Sequence, residues 1–69
     1  MNYVDRVKEA KDAVAAKYGV ETEKLEVFWS GTLMELQRMF LRRTDGDEIY
    51  LASINTQTDE VSVKRYMPE

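Results

Sequence analysis

The sequence predicts an α+β fold: an N-terminal helix packed on an antiparallel meander of four strands. Three observations lead there. Apolar residues near the N-terminus recur at helical spacing. Two late runs rich in β-branched and aromatic residues, 48–54 and 61–66, flank a polar turn. Ahead of them, Thr44-Asp45-Gly46-Asp47 is a hairpin turn that folds residues 33–43 back onto the run that follows.

The helix is read from Tyr3, Val7, Ala10, Val14 and Tyr18, spaced by three and four, with Val4 and Ala13 beside them. Asp5, Lys8, Glu9, Asp12 and Ala15 fall on the opposite side, where Lys8 and Asp12 are one turn apart and suited to pair. Asn2 is an N-cap residue by type. Gly19 ends the helix because it takes positive φ without strain, and Val20 behind it supplies the hydrophobic contact of a Schellman cap. After the polar link Glu21-Thr22-Glu23-Lys24, Leu25-Glu26-Val27-Phe28-Trp29 reads as a strand. Alternation puts Leu25, Val27 and Trp29 on one face, and Ser30-Gly31-Thr32 breaks the strand.

Residues 33–43 carry conflicting signals. Thr32 and Glu35 have capping-box spacing, and Leu-Met-Glu-Leu-Gln-Arg-Met-Phe-Leu-Arg-Arg holds no β-branched residue, which favours a helix and an α-β-α-β-β fold on a three-stranded sheet. Folding back across Asp45-Gly46 instead sets Arg43 opposite Glu48, Leu41 opposite Tyr50 and Phe40 opposite Leu51. Such cross-strand pairs favour a strand, and tertiary context outweighs propensity. The meander is the preferred reading.

The chain, residues 1–69, is expected to form one domain. A domain this short buries only about 60% of the surface its unfolded chain exposes, so small domains often add a disulfide, a metal or a partner subunit. With no Cys there is no disulfide or thiol chemistry, and with no His the commonest general base is missing. The N-terminus lacks a basic segment followed by an apolar run, and no stretch approaches the roughly 20 apolar residues of a membrane span. A cytoplasmic protein is the expectation, with no membrane association.

The pattern of an X-Asp-Gly-X hairpin followed by Tyr50-Leu51-Ala52-Ser53-Ile54-Asn55-Thr56-Gln57-Thr58-Asp59-Glu60-Val61 resembles the C-terminal half of PepSY-type domains, over residues 36–66. These are small α+β modules whose last hairpin often carries a Thr-Gly-Glu-Val-like turn. Here Asp59 stands where that family usually has Gly. The resemblance implies a meander and an inhibitory or binding role.

Catalytic signals are sparse. Glu26 and Glu35 are the acids embedded in apolar runs, but strand alternation places such residues in solvent, and a domain of this size offers little depth for a substrate pocket. Ser30 and Ser53 have no His to activate them, and Gly31 and Gly46 lack phosphate-cradling spacing. Asp45, Asp47 and Glu48 bring carboxylates together at a turn, as a hard cation requires, but without the alternation of an EF-hand loop. The expectation is a solvated Asp-Gly turn, with no metal, no cofactor and no enzymatic activity.

Binding signals are stronger. In the meander, Met34, Leu36 and Phe40 are expected to face the helix together with Ile49 and Leu51. Leu33, Met39, Leu41, Tyr50, Ala52 and Ile54 then form an uncovered apolar face, suited to another protein or to a second copy of the chain. The alternative is a nucleic-acid surface built from Arg38, Arg42 and Arg43 with Lys64, Arg65 and Tyr66. The net charge of −3, from ten basic and thirteen acidic residues, argues against it, because phosphate neutralisation drives such binding.

Overall fold

A computed structural model describes residues 3–66 of the chain. The elements follow in the order α1 (Tyr3–Tyr18), a short 3-10 turn (Thr22–Lys24), β1 (Leu25–Leu33), β2 (Leu36–Arg43), β3 (Ile49–Asn55) and β4 (Val61–Tyr66). The strands form one antiparallel sheet in chain order, β1-β2-β3-β4, with α1 across one side, mainly over β3 and β4. The meander is the fold; the three-stranded alternative is not needed.

Local chemistry explains most boundaries. Ala10 and Val14 on the α1 stripe are fully buried, with Val7 and Tyr18 packed beside them. Lys8 reaches Asp12 at 2.9 Å. Gly19 takes φ +70° and its amide donates to the Ala15 carbonyl at 2.9 Å, the single-bond form of a left-handed cap rather than the Schellman pair. The N-cap expected at Asn2 lies outside the described residues. The β2–β3 register has the anticipated pairs, Leu41 with Tyr50 and Phe40 with Leu51, and Arg43 bonds Glu48 through backbone and side chain.

Two features of β1 differ from expectation. The strand does not stop at Ser30-Gly31-Thr32 but runs through it to Leu33. The chain then reverses at Met34-Glu35, where Met34 takes φ +57°, the sign that the first position of a primed two-residue hairpin turn requires. No Gly, Asn or Asp marks this turn, which is why the sequence hides it. The pairing with β2 also shifts between Val27 and Trp29. Phe28 is the extra residue of this bulge, so Trp29 crosses to the face opposite Leu25 and Val27.

The sheet faces are inverted relative to the expectation. Met39, Leu41, Tyr50, Ala52 and Ile54 are fully buried under α1, in one core with Ala10, Val14, Val20 and Leu25. Of the residues expected on an uncovered face, Leu33 alone is exposed, and it lies at the hairpin end. β4 supplies the physical reason. Val61 and Val63 alternate with Ser62 and Lys64, and the register sets Val63 beside Ala52 and Val61 beside Ile54. Covering that side buries an apolar row on every strand. Covering the other would bury Arg38, Arg42 and Lys64, at a desolvation cost no packing offsets.

The sheet is tied at both ends. Thr56 donates to the Glu35 carbonyl from its amide (2.8 Å) and its hydroxyl (3.0 Å), joining the β1–β2 and β3–β4 turns. At the opposite end the Thr44 amide donates to the Lys24 carbonyl at 2.8 Å. Arg6, nearly buried, clamps α1 to the β3–β4 turn through Asp59 at 3.1 Å while also holding Glu9 at 3.2 Å. On the outer strand, Lys17 of α1 donates to the Val63 carbonyl at 2.8 Å.

Candidate functional site

The face left open by α1 is the feature that packing does not account for. Its rows follow from the register: Trp29, Phe40, Leu51 and Lys64; Gly31, Arg38, Ser53 and Ser62; Glu26, Arg42, Ile49 and Tyr66. Phe40 is the hub. Phe28 stacks against it at 6.0 Å between ring centroids, Trp29 tilts onto it at 5.6 Å, and Tyr66 meets it edge-on at 5.6 Å. Phe28 and Trp29 are each 49% exposed and Tyr66 is 45% exposed. The bulge makes this possible, since strict alternation would send one of two adjacent aromatic residues to the other side.

Gly31 has a specific part in the geometry. A Cβ built on it would lie 2.7 Å from the far edge of the Trp29 indole. The absence of a side chain lets the ring lie along the strand backbone. Phe28, Phe40, Ile49 and Tyr66 border a shallow apolar hollow of about 290 Å³. A second shallow cleft, about 310 Å³, is lined by Arg38, Leu51, Ser53, Ser62, Val63 and Lys64.

Cations outnumber carboxylates on this face, three (Arg38, Arg42, Lys64) to two (Glu26, Glu60). Arg42 is neutralised by Glu26 at 2.8 Å. Among the described residues Arg38 and Lys64 make no ion pair. The basic cluster expected from the sequence is therefore divided. Arg38, Arg42, Lys64 and Tyr66 share the open face, whereas Arg43 and Arg65 project to the helix side with the neighbouring positions Leu25 and Tyr50. There Arg43 holds Asp45 at 3.1 Å and Glu48 at 3.3 Å, and Arg65 reaches Glu48 at 3.6 Å and stands 6.0 Å from the centre of the Tyr18 ring.

That network engages two of the three carboxylates considered for a cation, Asp45 and Glu48. Lys24 adds a contact to Asp45 at 3.3 Å. The Arg43 guanidinium holds the Asp45 carboxyl below its ordinary range. The Tyr50 hydroxyl donates to Glu48 and, with the nearby arginines, lowers its pKa, while burial and then Glu48 raise that of Tyr50. Among the described residues no group of three or more His, Cys, Asp or Glu side chains is arranged to hold a metal ion. Glu26 and Glu35 stand at opposite ends of the β1–β2 hairpin and form no pair. Ser30 lies on the helix side with its hydroxyl 3.4 Å from that of Tyr3, and Ser53 lines the cleft beside Arg38.

The sequence reading missed Phe28, Trp29 and Phe40 as surface residues. Two signals point to them: the Val61/Val63 alternation that fixes which face is buried, and a Gly two residues after Trp29, as suits an aromatic ring laid over a glycine in a strand.

Compared with known proteins, the chain matches no family model, no curated protein and no solved structure. Among the described residues no helix is long and apolar enough to cross a membrane.

Proposed function

We propose that this protein is a small, non-enzymatic interaction domain that modulates another protein, in the cytoplasm, by docking it on the open face of its sheet. The observation that carries this reading is the Phe40-centred cluster of Phe28, Trp29 and Tyr66, half exposed on a face that α1 leaves uncovered. Rigid aromatic side chains give large contact area at small entropic cost and dominate the centres of protein interfaces. Ties at both ends of the sheet hold them in place before binding, which lowers the ordering cost. The resemblance to PepSY-type modules points to the same class of role.

A second reading, single-stranded nucleic acid, draws on Arg38, Arg42, Lys64 and Tyr66 sharing the face with Trp29, because bases stack on aromatic platforms flanked by cations. Its weakness is the loss of Arg43 and Arg65 to the opposite side.

Site-specific photocrosslinking tests the first reading. A benzophenone side chain at Phe28 is expected to yield a discrete protein adduct in the native host, absent when the probe replaces Lys8 on the exposed side of α1. Equal adducts from both positions, or adducts to nucleic acid alone, overturn it.

A further inference from the structure

From the charge and spacing of the open face, we infer that its partner is an acidic, extended protein segment. It places a carboxylate between Arg38 and Lys64 and an apolar side chain two residues away, in the hollow of Phe28, Phe40, Ile49 and Tyr66. This rests on the docking reading above and specifies what docks.

Charge complementarity selects the partner. The open face carries Arg38, Arg42 and Lys64 against two carboxylates. Glu26 is spent on Arg42, and Glu60 lines a cleft with Ser53 and Ser62 at the far end of β4 from Tyr66. The surface is therefore locally cationic on a chain of net charge −3. Most other acidic residues lie off this face, on α1 (Asp5, Glu9, Asp12, among four cations), in the link to β1 (Glu21, Glu23) and at the Asp45–Glu48 turn. A second copy of the chain is a poor occupant. A two-fold contact apposes the same patch on both copies and would bring Arg38 and Lys64 toward their own counterparts, with Glu60 at the end of the face as the one carboxylate outside an ion pair among its described residues. A segment bearing Asp or Glu supplies that missing charge, and the Ser53 and Ser62 hydroxyls on the cleft lining add donors for a carboxylate.

Geometry sets the spacing. The cleft spans the rows of Arg38 and Lys64, and the hollow spans the rows of Phe40 and Arg42. Their centres are thus one two-residue step apart, about 7 Å along the strands. An extended segment has the same repeat, so alternate side chains on one of its faces meet both. A nucleic acid strand brings a phosphate at every unit, and among the described residues of this face Arg38 and Lys64 are the two cations outside an ion pair. A peptide needs a single anion and a single apolar anchor, which is what the face provides.

Selection from a displayed random-peptide library on the immobilised full chain tests this directly. Enriched sequences are expected to share an Asp or Glu two residues from a large apolar residue. Their affinity, read in solution from the fluorescence of Trp29, the chain's one tryptophan, should fall about tenfold or more in Arg38→Glu/Lys64→Glu and weaken with salt. Lys8→Glu/Lys11→Glu changes net charge equally on α1 and should leave affinity unchanged. The milder Arg38→Gln serves if the double reversal fails to fold by circular dichroism.

Apolar peptides without an acid, bound through Phe28 and Phe40 and indifferent to Arg38→Glu, overturn the inference and leave the docking reading standing. Peptides indifferent to every open-face substitution overturn both. Salt-sensitive quenching of Trp29 by oligothymidylate, with no peptide enriched, overturns both in favour of nucleic acid.

Discussion

Met34, Gly31 and Tyr50 each hold a conformation or a proton for a reason visible in their surroundings. Met34 is 86% exposed and takes φ +57°, a region where a side chain costs energy and glycine costs none. Its side chain packs on nothing that offsets the strain, so Met34→Gly should raise stability by about 0.5–1 kcal/mol in urea denaturation, since relief of strain exceeds the entropy lost. Gly31→Ala should act differently. The added methyl meets the rim of the Trp29 indole rather than backbone, and the ring swings away. Stability should change little while the Trp29 emission shifts to the red, and an unchanged spectrum would show that the ring does not lie over Gly31. At Tyr50 the sign follows from its raised pKa. The native state favours the neutral phenol, so its contribution is complete below the ordinary value of 10.0 and is lost as pH rises through the higher folded value. Glu48 behaves oppositely. Its depressed pKa contributes stability above the ordinary 4.5, lost as pH falls through the lower folded value. Denaturation followed from pH 9 to beyond pH 10 should show the alkaline decline in the wild type and a shallower one in Tyr50→Phe.

Helix and strands differ in how openly the sequence announces them. α1 was readable because its stripe, its Lys8–Asp12 pair and Gly19 all agree. The β2–β3 register was readable because Asp45-Gly46 fixes the turn and the pairs follow by counting. β1 was not, because its signals mislead locally: Gly31 imitates a break, the true reversal falls on Met34-Glu35, and the bulge at Phe28 upsets alternation. The identity of the buried face was in principle available from β4, where Val61 and Val63 can only join Ala52 and Ile54. β2 and β3 alone are ambiguous, since both of their faces are apolar at the centre. A matched pair of substitutions separates the faces experimentally. Leu41→Ala, under α1, should lose roughly 2–5 kcal/mol of unfolding free energy, and Phe28→Ala, on the open side, well under 1 kcal/mol. Equal losses would mean that something other than solvent covers Phe28.

The whole molecule has one sheet face covered by α1 and the other left open. For a chain of 8.1 kDa, light scattering over a concentration series should return the monomer mass if the open face takes an acidic partner rather than a second copy. A dimer dissociated by Phe40→Ser would contradict that and reassign the face to self-association. The borders of the sheet have a consequence of their own. Lys17 occupies the Val63 carbonyl on β4, and the bulge at Phe28 bends β1. Strand borders are where proteins polymerise, each added chain offering a fresh template to the next. A sticky face binds once and is then used up, whereas a sticky border recruits without limit. With both borders blunted in this way, the chain should keep its aromatic surface at high concentration without seeding a fibril, which thioflavin binding over a concentration series checks.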